Sequence, residues 1–381
     1  MPAQFGRTAF RSQFLICSIS LSLLITAGCD SGGSGTGGDS GGSQSPDSGT
    51  SISFVSIGTA PQGGVFYTVG AAVGDVLAQH KADTGWRGVT AESTGGTLEN
   101  LRLLDSGDIQ IGMANSTITY FAVKGEGGFE KPHDVKSVMT LFPLIATFVT
   151  KEDSGIRTIE DLKGKRVVVG PEGAGFEYFI RPILKAHGLT YEDFDERTAN
   201  MAQSVGFLQD GSVDATFIGG GLKAPAITNA DSTMDIFLVP YGEEQRQTLV
   251  ENLPSFSKAT IPAKTYRTHT EAFEGLNVGS AHLIVRGDAD EDFVYSITKI
   301  IWENRATIAE KHAAARAIRE KNVVRETGTA FHPGAVRYYR EAGIWPDADA
   351  ASDDTTDSEA AADESGDQNS DNPVKTDDQG S

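Results

Sequence analysis

The chain has 381 residues, 52 of them acidic and 32 basic, a formal net charge of −20, and two cysteines. So acidic a balance argues against nucleic-acid binding and against a basic patch held on anionic lipid. Cys17 and Cys29 both lie near the N-terminus, so residues 30–381 have no intramolecular disulfide and no thiolate metal site. The globular part, roughly 300 residues, is held by its own core and is long enough for two lobes of ordinary domain size.

Arg7 and Arg11 precede an apolar stretch, residues 14–27, which is shorter than the about 20 residues needed to span a bilayer. Thr26, Ala27 and Gly28 are small, and Cys29 follows them. The segment resembles a bacterial lipoprotein signal, although Thr26 stands where that signal commonly has leucine. The resemblance implies removal of residues 1–28 and lipid on the Cys29 sulfur. The alternative is a plain secretory signal beside a free cysteine. Either way the chain is expected outside the cytoplasm, periplasmic or at the cell surface, and in the first case lipid-anchored at Cys29. Residues 30–51 are nearly all Ser, Gly, Asp and Thr; residues 29–51 read as a flexible tether with a mean reach of about 26 Å. Residues 347–381 hold twelve acids and one lysine, with no apolar periodicity, and read as a disordered acidic tail.

Residues 52–346 alternate strand-like and helix-like pieces. A β-rich run at 52–57 meets a glycine turn at 58–64 and a helix at 65–80. A strand at 88–93, a turn at 93–96, a helix at 97–104 and a strand at 109–114 follow. The pattern then restarts with a strand at 165–170, a turn at 171–175 and a helix at 176–187. A helix at 202–209 and strands at 213–218, 236–240 and 280–285 come next, then one long helix over 292–321. Strand, glycine turn, helix, strand marks right-handed βαβ units. The expected fold class is therefore α/β, with two lobes, each a mostly parallel sheet flanked by helices. A ligand cleft lies between them, at the carboxyl ends of the strands.

Four glycine turns fall at those ends: Gly63-Gly64, Ser93-Thr94-Gly95-Gly96, Gly173-Ala174-Gly175 and Gly219-Gly220-Gly221. The first three open helices. A helix N-terminus presents unpaired N–H groups and a partial positive charge, which suit a carboxylate or phosphate without a full cation. Glycine lets the backbone approach a ligand, although βα turns also use it for geometry alone. Three such openings from two lobes point to a small anionic ligand. Catalytic patterns are weak: the seven histidines form no i, i+4 pair and no zinc-protease motif. The serine-hydrolase pattern at 38–42 and the dinucleotide pattern at 33–38 both lie in the low-complexity tether, without the strand and helix such chemistry needs. No enzyme activity, cofactor or metal is expected.

Ile57-Gly-Thr-Ala-Pro-Gln-Gly-Gly-Val-Phe-Tyr67 resembles the opening signature of the TAXI group of TRAP-transporter solute receptors. Ser93-Thr-Gly-Gly-Thr-Leu-Glu-Asn-Leu-Arg-Leu-Leu104, Asp108-Ile-Gln-Ile-Gly-Met-Ala-Asn115 and Phe331-His-Pro-Gly-Ala-Val-Arg-Tyr-Tyr339 continue the likeness, which spans 52–346. The resemblance implies a two-lobed architecture of the type II periplasmic-binding-protein kind. Such a receptor captures a small organic anion, a glutamate-like amino acid or a dicarboxylate, by lobe closure. It delivers the solute to a TRAP permease driven by an ion gradient. A module presenting the closed lobes to a membrane sensor kinase is the alternative function.

By the same resemblance Gly63, Gly64, Phe66 and Tyr67 line the first-lobe wall. Ser93, Thr94, Gly95 and Asn100 hold a carboxylate, with Asn115 and Ser116 nearby. Gly173, Ala174 and Gly175 offer second-lobe N–H groups, and Gly219, Gly220, Gly221 and Pro225 form the far wall. Each has a duller reading: Phe66 and Tyr67 as core, Asn100 as a backbone bridge, Arg102 and Arg181 as solvated helix faces. The lobes are expected at 52–145 with 283–346 and at 146–282, with hinges near 141–149 and 278–284. The family commonly has Gly-Ser-Gly-Thr where this chain has Gly173-Ala-Gly-Phe176, which loses two hydroxyls and gains a ring. A ligand larger or less polar than glutamate is therefore expected. Ala174→Ser with Phe176→Thr should raise glutamate affinity in a calorimetric titration, and unchanged binding would count against that reading.

Overall fold

The computed structural model describes residues 52–62 and 64–346; Cys29, the tether, the acidic tail and Gly63 lie outside the described residues. The first strand, β1 (Phe54–Gly58), buries Val55 and Ile57 and leaves Phe54 outside, the period of a half-buried strand. Helix α1 (Val65–Gln79) buries Val69, Val73, Val76 and Leu77 on one face. A short α2 (Lys81–Thr84) leads to β2 (Gly88–Glu92), α3 (Thr97–Ser106) and β3 (Ile111–Asn115), the last buried at every residue. Helix α4 (Ser116–Lys124) then brings the chain to β4 (Val135–Phe142).

Pro143 and Leu144 carry the chain into a second sheet. It contains β5 (Ile145–Lys151), β6 (Arg166–Val168), β7 (Asp195–Arg197), β8 (Ala215–Gly220), β9 (Ile236–Leu238) and the hairpin of β10 (Ser257–Ile261) and β11 (Phe273–Asn277). Between these strands run α5 (Glu177–Ala186), α6 (Met201–Asp210), α7 (Pro225–Thr233) and α8 (Glu243–Asn252). Residues 278–280 lead back to the first sheet as β12 (Ala281–Arg286). The chain continues through α9 (Glu291–Glu303), α10 (Arg305–Lys311), α11 (Glu320–Val323) and α12 (Pro333–Glu341).

The first sheet has the order β2-β1-β3-β12-β4 and the second β10-β11-β5-β8-β6-β7, with β9 beside β5. Two α/β sheets flanked by helices and joined by two crossing segments make the expected two-lobed fold. The sheets are mixed rather than mostly parallel. In the first, β1 runs parallel to β2 and β3, and β12 is antiparallel to β3 and β4. In the second, β6 is parallel to β7 and β8, and β5 is antiparallel to β8, β9 and β11. The reason is topological: parallel strands end at the edge facing the other lobe, and a strand arriving from that lobe starts there, so it runs the opposite way. Ile145, counted above with the first lobe, pairs in the second sheet, and Ala281 and His282 pair in the first.

The long helix expected over 292–321 is broken three times, at Asn304, at His312 and, before α11, at Ile318–Arg319. At Asn304 the backbone leaves the helical basin (φ −105°, ψ 15°), and its side chain donates to the Ile300 carbonyl at 2.8 Å, a local competitor to the helical ladder. At His312 the chain is extended, and Nδ1 caps a 3-10 turn, Ala313–Ala317, by accepting from the Ala314 N–H at 3.1 Å. Among the described residues no helix is long and apolar enough to cross a membrane.

The apolar core of the second sheet is continuous with Leu101, Leu104 and Ile118, on the α3 and α4 side of the first. The crossing segments are held by buried polar groups. Asn277 Oδ1 accepts from the Leu144 N–H at 2.9 Å, while Nδ2 donates to the hydroxyls of Ser257 and Ser280 at 3.1 Å each. Thr117 Oγ1 donates to the Val278 carbonyl at 2.9 Å and lies 2.8 Å from Ser255 Oγ. His282 is fully buried in β12 with Nε2 2.8 Å from Thr119 Oγ1, and burial pushes its pKa from 6.5 down to about 3.

A depressed histidine pKa means that the unfolded chain takes up the proton first. Stability is therefore lost as pH falls below 6.5 toward about 3, at up to about 1.4 kcal/mol per unit. Between pH 6.5 and 4.5, His282→Gln is expected to shrink the loss measured by denaturant titration by about 2–3 kcal/mol. An unchanged slope would place the acid sensitivity elsewhere.

Candidate ligand cleft

The strands that end toward the opposite lobe feed turns opening four helices, α1, α3, α5 and α7. None of the four carries a side-chain cap: their first residues follow Gly64, Gly96, Phe176 and Ala224, which make no side-chain bond to the helix. By contrast Asn115, Asn200, Asp290 and His332 cap α4, α6, α9 and α12 with side chains. An uncapped start leaves first-turn N–H groups available to an external acceptor.

In the 93–96 turn the side chains are engaged within the protein. Ser93 Oγ donates to the Ala60 carbonyl at 3.2 Å. Thr94 Oγ1 donates to Asn100 Oδ1 at 2.8 Å and accepts from the Gly96 N–H at 3.2 Å. Asn100 is fully buried, and its Nδ2 lies within 3.1 Å of the Gly58, Thr59 and Met113 carbonyls. One side chain thus joins the ends of β1 and β3 to the start of α3. Gly58 makes room for it: a Cβ there would sit 2.4 Å from Asn100 Oδ1. The Gly95 N–H donates to the Glu99 carboxylate, a residue that sequence reasoning passed over although it is the acidic residue of the first turn of α3.

Asn115 and Ser116 face the returning segment. Asn115 Oδ1 accepts from the Thr117 N–H at 2.9 Å and its Nδ2 donates to the Gly279 carbonyl at 3.3 Å. Ser116 Oγ accepts from the Ser280 N–H at 2.9 Å. Gly64 is exposed, and Phe66 and Tyr67 are half-buried. The Phe66 ring meets Phe142 edge-on at 6.1 Å.

From the second lobe, Gly173 is exposed, Ala174 half-buried and Gly175 buried at φ 80°. A Cβ on Gly175 would lie 2.8 Å from Ile118 Cδ1 and 3.4 Å from Leu98 Cγ, so this turn rests on the first lobe. The ring of Phe176 packs 5.0 Å from Phe179 and 6.4 Å from Phe217, over the backbone of Gly170. That ring joins the second-lobe core, so Phe176→Thr also removes core packing, and Ala174→Ser alone is the cleaner probe of the missing hydroxyl. Gly219 and Gly220 lie in β8, paired with Ala146 and Ile145. A Cβ on Gly221 would come 3.6 Å from Ala314 Cβ of the first lobe. Pro225 is exposed at the first position of α7.

Two further residues were not found from sequence. Tyr178, on α5, lies 5.9 Å from Phe121 and 5.2 Å from Phe129 by ring centroids, an aromatic seal between lobes. Lys223 is exposed at φ 58°, a sparse conformation for a residue with a Cβ. Burial pushes the pKa of the nearby Tyr266 phenol up to about 12. Arg181 lies over the Tyr191 ring at 4.6 Å. Among the described residues no group of three or more His, Cys, Asp or Glu is placed to hold a metal ion.

Two lobes touching across uncapped helix openings define a solute-binding protein. The chain matches the NMT1-like family over residues 57–343 and belongs to it, the family of TAXI-type solute receptors associated with TRAP transport. The members of this family are binding proteins rather than enzymes. Solved structures similar to this chain include the periplasmic aliphatic sulphonate binding protein SsuA from Escherichia coli, with 16% identity, 78% of this chain and 80% of that chain covered, and a TM-score of 0.43. An ancestral arginine-binding protein bound to arginine has 19% identity over 70% of this chain and 99% of that chain, with a TM-score of 0.43. PhnD1 from Prochlorococcus marinus in complex with methylphosphonate has 11% identity over 77% and 97%, with a TM-score of 0.49.

The Glu99 carboxylate lies at the start of α3, where an anionic ligand would have to compete with it. A charge at a helix N-terminus is worth about 0.3–1 kcal/mol. Glu99→Gln is therefore expected to tighten glutamate or succinate binding roughly two- to five-fold in calorimetric titration. Weaker or unchanged binding would show that the ligand does not use this helix.

Proposed function

We propose that this receptor captures a small organic anion, a glutamate-like amino acid or a dicarboxylate, in the cleft between its lobes and hands it to a TRAP-type permease. The observation that supports this most is the set of four cleft-facing helices that begin without side-chain caps. With the hydroxyls of Ser93 and Thr94, the amide of Asn100 and the N–H groups of Gly95, Gly96 and Ala174 engaged internally, the first-turn N–H groups of Thr97 and Leu98 and those of Gly173 and Gly175 are the donors for the ligand carboxylate. Asn100 acts as a positioning residue, holding Thr94 and the two strand ends. Asn115 and Ser116 act on the hinge, through Gly279 and Ser280. Lys223 supplies a cation at the far wall beside Gly221 and Pro225.

The lobe division is placed at residues 143–144 and 278–280, where the chain passes from one sheet to the other. Closure swings the 173–175 turn onto Leu98 and Ile118, with Tyr178 seating between Phe121 and Phe129. Export, removal of residues 1–28 and a lipid at Cys29 put the receptor on the outer side of the membrane, with residues 29–51 as its tether.

The test is thermal unfolding of the purified protein with amino acids, 2-oxo acids, dicarboxylates and aromatic acids. A ligand at 100 times its Kd adds about 2.7 kcal/mol, a shift of several degrees for a protein of this size. A carboxylate hit that weakens about ten-fold in Thr94→Val, with Asn100 left in place, is the expected result. A well-folded protein that responds to no carboxylate would sink the anionic-ligand assignment.

A further inference from the structure

Arg325 is a guanidinium that the fold leaves without a counter-ion. It follows α11 beside the edge of the first sheet, where its carbonyl accepts from Thr140 Oγ1 at 3.0 Å. Its side chain reaches the returning segment and the start of β10. Nη1 donates to Ser257 Oγ at 3.3 Å, Nη2 donates to Ser280 Oγ, and Nε is buried with no partner. Arg246 makes the contrast: it is buried, and Glu243 and Glu274 both bond it, whereas Arg325 is half-buried with its Nε enclosed. No carboxylate among the described residues pairs with Arg325. Burial alone pushes its pKa down, with no neighbouring charge to offset it. A guanidinium does not shed its proton in the ordinary pH range, and a charge partly withdrawn from water without a partner is disfavoured.

The groups around it make the imbalance specific. The Ser257 and Ser280 oxygens each accept twice, once from Asn277 Nδ2 and once from Arg325. Both lone pairs of each hydroxyl are thereby used, and what remains is its O–H, for which the described residues supply no acceptor. Two residues past Arg325, Thr327 is buried with its hydroxyl unpartnered. The cluster has a surplus of donors and a net positive charge, and it lies where both connections between the lobes pass.

We infer that Arg325, Ser257 and Ser280 form a half-buried site for one compact monoanion at the hinge. The occupant is a free halide or small carboxylate from solution, or the carboxylate of a bound solute that reaches the crossing segments. The second form rests on the reading of the cleft given above; the first is independent of it. An anion here ties β10, the returning segment and the stretch after α11 together, so its occupancy stiffens the hinge.

The experiment uses the full chain in chloride-free sodium HEPES, titrated with sodium chloride or sodium acetate at constant ionic strength set by sodium gluconate. Thermal unfolding is followed for the wild type, Arg325→Gln and Ser280→Ala, and glutamate and succinate binding is measured by calorimetry with and without chloride. A saturable rise in the wild-type midpoint that is lost in Arg325→Gln and reduced in Ser280→Ala establishes a free-anion site. If chloride and acetate are inert but glutamate or succinate binding weakens ten-fold or more in both variants, the occupant is the solute carboxylate. If no wild-type anion response depends on Arg325 or Ser280, the site is overturned. Should Arg325→Gln fail to fold, Ser280→Ala decides alone. A chloride response without any solute binding would leave the hinge site standing and remove the cleft assignment.

Discussion

Asn277 is the side chain through which the two connections between the sheets hold each other. Its carbonyl oxygen takes the Leu144 N–H of the outgoing segment, and its amide reaches Ser280 of the returning one and Ser257 at the start of β10. A hinge must leave the ladders of both sheets, so its backbone groups need other partners. Here side chains provide them: Asn277 for Leu144, Asn115 for Gly279, Ser116 for Ser280 and Thr117 for Val278. These bonds are made near the pivot, where rotation displaces atoms least. Contacts farther out, at Tyr178 and Gly175, are apolar and can part without stranding a donor. The division of labour suits a molecule that opens and closes: directional bonds at the axis, non-directional packing at the rim.

Asn100 has the corresponding role inside the first lobe. Its amide lies within 3.1 Å of the carbonyls of Gly58, Thr59 and Met113, and its oxygen takes the Thr94 hydroxyl. The strand ends of β1 and β3 and the turn before α3 are thereby fixed relative to one another. The turn is rigid before a ligand arrives, which lowers the ordering cost of binding. Its two N–H hydrogens are shared among three carbonyls, so losing the amide would loosen both strand ends together.

The βα turns and the alternation of β1 were legible in the sequence because they rest on local signals: glycine, apolar period and length. Helix α1 and the turn at 93–96 fall where pattern alone puts them. Strand direction was not legible, because β12 and β5 run antiparallel only as a result of crossing between lobes, a non-local fact. The breaks at Asn304 and His312 escaped for a different reason. Each depends on a side chain choosing a backbone partner over solvent, and 292–321 otherwise keeps a helical period. For the site, the glycine turns could be read, but not which groups in them were already engaged. Nothing in the order of residues says that Ser93 bonds Ala60 or that Phe176 turns onto Gly170. Arg325 was invisible for the same reason, since its partners Ser257 and Ser280 come from other parts of the chain.

The proposed capture of an anion by so acidic a chain is a problem of range. Of the net −20, residues 347–381 carry −11, leaving −9 for residues 1–346. At physiological ionic strength exposed charges are screened beyond about 8 Å, so the overall balance bears on solubility and on approach more than on a site closed between lobes. Inside the cleft, oriented N–H groups act over a few ångströms in a medium that screens poorly. They also bring no counter-charge that must be stripped of water when the cleft is empty. Neutral donors fixed by Asn100 and by the hinge bonds therefore suit a receptor that must release its ligand. A full cation in the cleft centre would hold an anion harder and let it go more slowly. Arg325 fits the same logic from the other side: a permanent charge placed at the axis, where it can keep one anion through many cycles of opening.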